Sequence, residues 1–96
     1  MKKTKEEYIK KFRALANEER LDIIKKLHNE GELCASDIEK SFFMEQSTTS
    51  HHLNYLKKVG ILESRKQGRN IFYKMNKDNV VNLYKEFLED YFKIIV

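Results

Sequence analysis

The stretch from Gln46 to Lys58 constrains the fold of this chain more than any other, because its side chains divide into two unlike faces. At 3.6 residues per turn, Thr49, Leu53 and Leu56 fall on one side of a helix, where small and apolar groups can pack. The opposite side is neutral and polar, and it consists of Gln46, Ser47, Ser50, His51 and Asn54. Such side chains both donate and accept hydrogen bonds, which suits base edges, whereas a merely solvated face is usually Lys and Glu. The stretch is therefore predicted to be a helix that reads bases.

The positive charge of the chain is concentrated in and just after this stretch. The net charge is +4, yet residues 1–45 sum to zero and residues 77–96 sum to −1. Residues 46–76 carry a single acid, Glu63, against six basic residues: Lys57, Lys58, Arg65, Lys66, Arg69 and Lys74. This distribution is typical of a nucleic-acid contact. The alternative is a basic surface patch without that role, which is common in soluble proteins.

Length and composition bound the class of protein. The chain has 96 residues, of which 41% are hydrophobic and 35% charged, and this predicts one soluble globular domain over residues 1–96. It has no run of about eighteen apolar residues and no apolar signal core at its start, so no membrane insertion and a cytoplasmic location are expected. The single cysteine, Cys34, allows no disulfide within the chain and agrees with a reducing compartment.

Two helices are predicted before the middle of the chain. Thr4 and Glu7 have the spacing of a capping box, so a first helix is expected from about residue 5 to residue 16. Asn17 is a suitable N-cap for a second helix, which Gly31 can end. The buried side of this second helix is assigned to Leu21, Ile24 and Leu27.

A third helix and a tight turn precede the base-reading stretch. Ser36 and Glu39 have the spacing of another capping box, and Phe42 is expected to point inward. Residues 43–45 are too few for anything but a turn between helices. Two helices joined by so short a turn, the second with a polar face, form the helix-turn-helix arrangement.

The hydrophobic period changes after Gly60. Residues 61–66 and 71–75 are rich in β-branched, aromatic and long side chains, and residues 67–70 between them are typical of a hairpin turn. The cations on this hairpin are Arg65, Lys66, Arg69 and Lys74. A hairpin after a helix-turn-helix is a wing, where cations suit phosphates or a minor groove. The predicted fold is mainly α with a small β-hairpin: a winged helix-turn-helix whose hairpin separates the fourth and fifth helices.

A last helix is expected from about residue 77 to residue 95, with Asn76 as its cap. Its apolar face is wider than a monomer of this size needs, and aromatic residues of the first helix add to it. The predicted contacts between two copies are Tyr8, Phe12, Tyr84, Phe87, Leu88, Tyr91, Phe92 and Ile95. A homodimer joined through the first and last helices is expected, and the alternative is a terminal helix that only covers the core.

Three segments carry a resemblance to the ArsR/SmtB family of bacterial winged-helix repressors. They run from Leu15 to Ile24, from Ser50 to Leu62, and from Lys66 to Tyr73, the last resembling that family's wing. A Ser-His-x-Leu-x-x-Leu pattern followed by Gly-Ile-Leu and a basic wing is hard to match by accident. The resemblance covers about residues 8 to 76. It departs at residues 17–18, where the family often has Asp-Pro, and at Glu45, where it often has Ser.

The resemblance implies a homodimer that binds an imperfect palindrome upstream of a gene and blocks transcription. By position, it implies that Gln46, Ser47, Ser50 and His51 enter the major groove. Asn54 shares their face, and the predicted DNA-binding set is completed by Lys57, Arg65, Lys66 and Arg69. Ser47 has a second interpretation as a local N-cap. His52 lies about 100° round the helix from His51 and is expected to pack or face solvent.

Metal sensing, which the resemblance also raises, is not expected from these residues. One family site uses Cys-x-Cys-Asp, but Ser36 stands at the second thiol position, and Cys34 alone cannot build a soft site of three or four ligands. The other site uses Asp and several His on the last helix, and residues 77–96 contain no His. No metal and no cofactor are predicted, and zinc or arsenite is expected not to weaken DNA binding. DNA binding would then be controlled by an unidentified inducer or a partner protein. Cys34 is interpreted as a small buried side chain.

Other functional classes can be weighed against the same residues. A winged helix can also serve as a protein-interaction module, but such a module does not need six basic residues against one acid. An ArsR-type sensor of a non-metal signal is a further alternative. An enzyme is not predicted, because Ser50 and the neighbouring His51 or His52 lie side by side on one helix and cannot face each other. The expected partners are double-stranded DNA and a second copy of the chain.

Overall fold

A computed structural model describes residues 3–96. These residues form five helices and three strands. In chain order they are α1 (Lys5–Leu15), α2 (Glu18–Glu30), β1 (Leu33–Cys34), α3 (Ala35–Phe42), α4 (Gln46–Lys58), β2 (Leu62–Gln67), β3 (Asn70–Met75) and α5 (Lys77–Phe92). The predicted order of helices and hairpin is confirmed, and β1 is an addition that the sequence did not predict.

The first two helices begin at the predicted caps. The Thr4 hydroxyl accepts a hydrogen bond from the Glu7 N–H at 3.2 Å, and the Glu7 carboxylate accepts one from the Thr4 N–H at 3.4 Å. The Asn17 side chain accepts a hydrogen bond from the Arg20 N–H at 3.0 Å. Gly31 ends α2 with φ at 88°, a conformation that side chains with a Cβ rarely adopt.

The start of the third helix differs from the prediction. The helix begins at Ala35, so Ser36 lies inside its first turn and does not cap it. Instead, the Asp37 carboxylate accepts hydrogen bonds from the Cys34 N–H at 3.4 Å and from the Cys34 thiol at 3.0 Å. The physical reason is that β1 holds the backbone extended through Cys34, and the helix follows at once. The predicted turn after α3 is confirmed, with Phe43 left-handed at φ 51°.

The sheet has three antiparallel strands in the order β1-β3-β2. Leu33 pairs with Tyr73, and Cys34 pairs with Phe72, so β1 covers the edge of β3 that a two-stranded hairpin would leave open. At the other end, Gln67 pairs with Asn70, and the turn is reduced to Gly68 and Arg69. The sheet thereby ties the wing to the segment between α2 and α3.

The core lies between the helix-turn-helix and the base of the sheet. Its buried members come from the first four helices and the hairpin: Ala14, Ile23, Leu27, Ile38, Leu53, Leu56, Ile61, Leu62 and Tyr73. Phe42 packs against this cluster, as predicted. The assignment of Leu21 to the buried side of α2 is wrong, because Leu21 is 50% exposed while Ile23 is fully buried. The helix turns Ile23 and Leu27 inward as an i, i+4 pair, and Arg20 shares their side.

The last helix ends at Phe92, three residues before the predicted end. Lys93 takes a left-handed conformation with φ at 54°, and its N–H donates to the Leu88 carbonyl. The residues that follow are β-branched and have low helix propensity, which explains the early end. Within residues 3–96, no helix combines the length and apolarity needed to cross a membrane.

Candidate nucleic-acid interface

The two faces of α4 are separated in the structure as the helical period predicts. All five members of the polar face are exposed: Gln46, Ser47, Ser50, His51 and Asn54. On the inner face, Thr49 and Leu56 are fully buried and Leu53 is 1% exposed. Thr49 further donates its hydroxyl to the Glu45 carbonyl at 3.0 Å, which leaves no polar group of this side chain unsatisfied. The polar face therefore stands on a helix that is firmly packed from behind.

The carboxyl end of α4 is held by side chains from both terminal helices. The Lys11 ammonium of α1 donates to the Val59 carbonyl at 2.7 Å. The Asn79 amide of α5 donates to the Gly60 carbonyl at 3.1 Å. Gly60 has φ at 85°, and a Cβ there would lie 3.2 Å from the Asn79 amide nitrogen, so both conformation and space favour glycine. These contacts satisfy carbonyls that a helix end leaves open.

The cations of the wing fall into two groups. At its tip, Lys66 and Arg69 are exposed and form no ion pair within residues 3–96. Nearer its base, Lys74 lies 3.3 Å from a Glu63 carboxylate oxygen. Arg65 donates from Nε to both oxygens of Glu32 at 3.1 Å and from an Nη at 2.6 Å. The tip thus presents charge that the fold does not use.

The contact between Arg65 and Glu32 also shifts the ionisation of both groups. The hydrogen bond from Arg65 holds the pKa of Glu32 below its ordinary value, and the same bond raises the pKa of Arg65. The guanidinium further lies 4.9 Å from the centre of the Phe72 ring. Arg65, which the sequence assigns to DNA binding with the tip cations, is therefore engaged within the chain.

Two cations that the sequence analysis missed lie beside the polar face of α4. Lys10 and Arg13 of α1 line a groove of about 390 Å³ together with His51, Asn54 and Lys58. Lys10 and Arg13 are about one helical turn apart, so their spacing in the sequence already places them on one face of α1. What the sequence lacked was any sign that this side of α1 faces α4.

A second groove, almost entirely apolar, lies between α1 and α5 and has a volume of about 600 Å³. Its aromatic side chains are in contact: Phe12 and Phe87 have ring centres 4.6 Å apart, and Tyr8 and Tyr91 have ring centres 5.5 Å apart. Ile9 also lines this groove and is 45% exposed, and it is an addition to the predicted dimer residues.

The predicted dimer residues differ in how much surface they offer. Tyr84, Tyr91, Phe92 and Ile95 are exposed, and Phe12, Phe87 and Leu88 are half-buried. Tyr8 is only 2% exposed and donates its hydroxyl to Asp90 at 3.0 Å, so it forms the floor of the groove and not its rim. Burial, and then the bond to Asp90, raise the pKa of Tyr8 to about 12.

The side chains that could ligate a metal do not gather in the described part of the chain. Residues 3–96 contain no group of three or more His, Cys, Asp or Glu side chains placed to hold an ion. Cys34 is half-buried, and the interpretation of it as a buried side chain is therefore wrong. Its sulfur lies 3.1 Å from the Ser36 hydroxyl and 3.0 Å from an Asp37 carboxylate oxygen. Its nearest partners are thus the groups that start α3.

Several known transcriptional regulators are similar in sequence to this chain. A cadmium resistance transcriptional regulatory protein, CadC, of Listeria innocua is 42% identical over 72 residues, which are 75% of this chain and 60% of that protein. An uncharacterized HTH-type transcriptional regulator of Methanocaldococcus jannaschii is 40% identical over 74 residues, 77% of this chain and 83% of that protein. The chain spans less than two thirds of the length of the cadmium regulators that it matches.

A solved structure and a family model agree with these relatives. The solution structure of the homodimeric winged helix-turn-helix DNA-binding domain of a Mycobacterium bovis protein matches with a TM-score of 0.72 at 30% identity, covering 82% of this chain and 72% of that one. The model described as bacterial regulatory protein, arsR family, matches residues 17–64, which are half of the chain. The chain belongs to the arsR family of bacterial regulatory proteins, which are winged helix-turn-helix transcriptional regulators and not enzymes.

Proposed function

We propose that this chain is a homodimeric, sequence-specific DNA-binding repressor of the cytoplasm. In this proposal, α4 reads bases in a major groove and the tip of the wing contacts the DNA backbone. The observation that carries it is the exposed, neutral polar face of α4, backed by a buried face and flanked by cations without acidic partners within residues 3–96.

Base reading is assigned to the polar face of α4. Gln and Asn can bond to adenine with two hydrogen bonds, and Ser and His can donate or accept at several base edges. The five residues are Gln46, Ser47, Ser50, His51 and Asn54. Ser47 is not the N-cap of α4, because the helix begins at Gln46 and its N-cap residue is Glu45.

Phosphate binding is assigned to the cations around this face. Lys57 lies in the last turn of α4, and Lys66 and Arg69 lie at the tip of the wing. Lys10 and Arg13, in the groove beside His51, extend the set onto α1. Arg65 is a weaker member, because its guanidinium is already bonded to Glu32. Such contacts fix the register of a protein on DNA and make its binding salt-dependent.

Dimerisation is assigned to the apolar groove between α1 and α5. Exposed aromatic and aliphatic side chains such as Ile9 and Tyr91 leave a patch that a second copy can cover, and such patches are unusual on monomers. Two copies related by a two-fold axis would present two α4 helices, which explains why an imperfect palindrome is the expected operator. The Mycobacterium bovis domain, of similar fold, is homodimeric.

The dimer can be tested by a charge placed in the groove. Ile9→Glu is expected to shift the protein from dimer to monomer in sedimentation equilibrium, raising the dissociation constant about tenfold or more because a carboxylate would enter an apolar contact. Leu21→Glu is the matched control, since Leu21 is similarly exposed but lies on α2. If both variants stayed dimeric, the interface would lie elsewhere.

DNA binding can be tested by a gel shift with the duplex upstream of the chain's own gene. A scrambled duplex of equal composition serves as the control. The proposal predicts retardation of the upstream duplex at concentrations that leave the scrambled one free, with one dimer per site. Equal retardation of both duplexes, or of neither, would contradict sequence-specific binding.

A further inference from the structure

Arg20 carries a guanidinium into the interior behind α4. The residue is 7% exposed. Its Nε donates to the Ala14 carbonyl at 2.7 Å, and one Nη donates to the Arg13 carbonyl at 3.3 Å. Both carbonyls belong to the last turn of α1, and the Arg13 carbonyl also accepts from the Ala16 N–H at 3.2 Å. A buried charge is tolerated when it is hydrogen-bonded in this way.

The remaining side of the guanidinium contacts α4. The other Nη lies 3.2 Å from Nδ1 of His52, and the guanidinium carbon lies 4.5 Å from the centre of the Tyr55 ring. His52 is itself only 5% exposed. Arg20 therefore joins the end of α1 to the inner side of α4 through a single planar group.

The contacts of His52 determine where its proton lies. A guanidinium can only donate, so Nδ1 must accept and carries no proton. Nε2 lies 3.1 Å from a Glu19 carboxylate oxygen, which accepts, so Nε2 carries the proton and donates it. The ring is thus held as the neutral Nε2–H tautomer between Arg20 and Glu19. The other tautomer would set two donors against each other.

We propose that Arg20 and His52 are positioning residues that fix the rotation of α4 about its own axis. His51 and His52 are separated by about 100° of rotation about the helix axis. Hydrogen bonds that hold His52 in place therefore also set the direction in which His51 points. Apolar packing by Leu53 and Leu56 is not directional, whereas hydrogen bonds to a planar guanidinium are. This inference rests on the proposed base reading, because only a fixed rotation brings Ser50 and His51 to base edges together.

The first test is the tautomer itself, which does not depend on DNA. Long-range ¹⁵N–¹H correlation spectra of the histidine rings near neutral pH are expected to show Nδ1 unprotonated and Nε2 protonated for His52. His28 and His51, which are exposed, serve as internal references. A proton on Nδ1 of His52, or fast averaging of the two tautomers, would overturn the arrangement from Arg20 to Glu19.

The second test compares two replacements of His52. In His52→Asn, the amide oxygen can take the place of Nδ1 and accept from Arg20, whereas His52→Leu keeps bulk and leaves the Nη that faces α4 without an acceptor. Against the upstream duplex, His52→Leu is expected to lose about tenfold in affinity and His52→Asn less than about threefold, as for one hydrogen bond to a charged group. Affinity for the scrambled duplex should stay unchanged in both variants, because phosphate contacts do not need the exact rotation.

The outcomes separate this inference from the proposed function. If the wild-type protein does not prefer the upstream duplex, base reading fails while the tautomer result still stands. If the wild-type protein prefers it and His52→Leu binds as tightly as His52→Asn, the positioning role is contradicted. Equal losses on both duplexes would indicate partial unfolding and would also contradict it. If His52→Leu does not fold, two results test the positioning role: the ring spectra of the wild type and the affinity of His52→Asn for the upstream duplex. A loss in His52→Asn larger than about threefold would contradict it.

Discussion

Helix α4 and the wing differ in how the fold holds them. Helix α4 has a buried face, a hydrogen-bonded carboxyl end and an anchored histidine, and its outward face is neutral. The tip of the wing projects from a two-residue turn, and its outward groups are cations. Base edges must be met at fixed distances and angles, whereas phosphates attract charge over a wider range. We therefore assign base contacts, which need a rigid surface, to α4, and phosphate contacts, which tolerate motion, to the tip of the wing.

The wing repeats this contrast within itself. Arg65 and Lys74 near its base have acidic partners, while Lys66 and Arg69 at its tip have none within residues 3–96. Arg65 holds the wing against the segment before β1, where Glu32 lies, whereas Lys74 pairs with Glu63 across the hairpin itself. The unpartnered cations are the ones that we expect to meet DNA.

The largest effect is expected from loosening the packed side of α4. Leu56 is fully buried, so Leu56→Ala should lower the free energy of unfolding by about 2–5 kcal/mol in urea denaturation. Asn54→Ala, on the exposed face of the same helix, should change it by less than about 0.5 kcal/mol. Similar losses in the two variants would show that the faces are not as distinct as described.

A base-reading residue should affect one DNA sequence and not another. His51→Ala is expected to weaken binding to the upstream duplex by roughly 1–3 kcal/mol, the range for a good base contact. Fluorescence anisotropy with the scrambled duplex, where no change is expected, is the control. Uniform weakening on both duplexes would place His51 among the phosphate contacts.

A wing-tip cation should show the opposite behaviour. Arg69→Ala is expected to weaken binding to any duplex and to flatten the slope of log affinity against log salt by about 0.9, the value for one phosphate contact. Anisotropy titrations at several salt concentrations measure this slope. An unchanged slope would mean that the tip does not touch DNA.

The smallest effects are expected at the base of the wing. Arg65→Ala should flatten the salt slope less than Arg69→Ala does, because the guanidinium is shared with Glu32. Glu32→Gln, which frees Arg65, should raise affinity for the scrambled duplex by less than about tenfold, as expected of one screened charge. If Arg65→Ala flattened the salt slope more than Arg69→Ala, the base of the wing and not its tip would be the main DNA contact.

The same pair makes a pH prediction. The pKa of Glu32 is lowered in the folded chain from 4.5, so its stabilising contribution is present above pH 4.5 and is lost as the pH falls through the lowered value. Carboxyl ¹³C titration should show Glu32 protonating below its usual range in the wild type. In Arg65→Ala it should return towards the usual range.

Local signals made most of the fold predictable from the sequence. The caps Thr4 and Asn17, the three-residue turn before α4 and the period of α4 are all written within a few neighbouring residues, and the structure confirms them. Strand β1 was not predictable, since two residues carry no period. Likewise, the inward turn of Ile23 in place of Leu21 depends on how α2 packs against other elements and not on α2 itself.

The candidate site was predictable in its residues but not in its connections. The polar face of α4 follows from helical spacing alone, and its exposure agrees. The bond between Arg20 and His52 joins residues 32 apart in the chain, and that between Arg65 and Glu32 joins residues 33 apart. The residues next to each partner in the sequence give no sign of such long-range pairs. The approach of Lys10 to α4 was missed for the same reason.

The most direct test of the account is a map of which residues meet DNA. The ¹⁵N-labelled protein would be titrated with the upstream duplex and its amide and side-chain signals followed. If α4 reads bases, the largest shifts are expected in residues 46–54 and at the wing tip around Arg69, with small shifts along the apolar groove of α1 and α5. Shifts confined to that groove, or none in residues 46–54, would contradict base reading by α4 and favour a protein-interaction module.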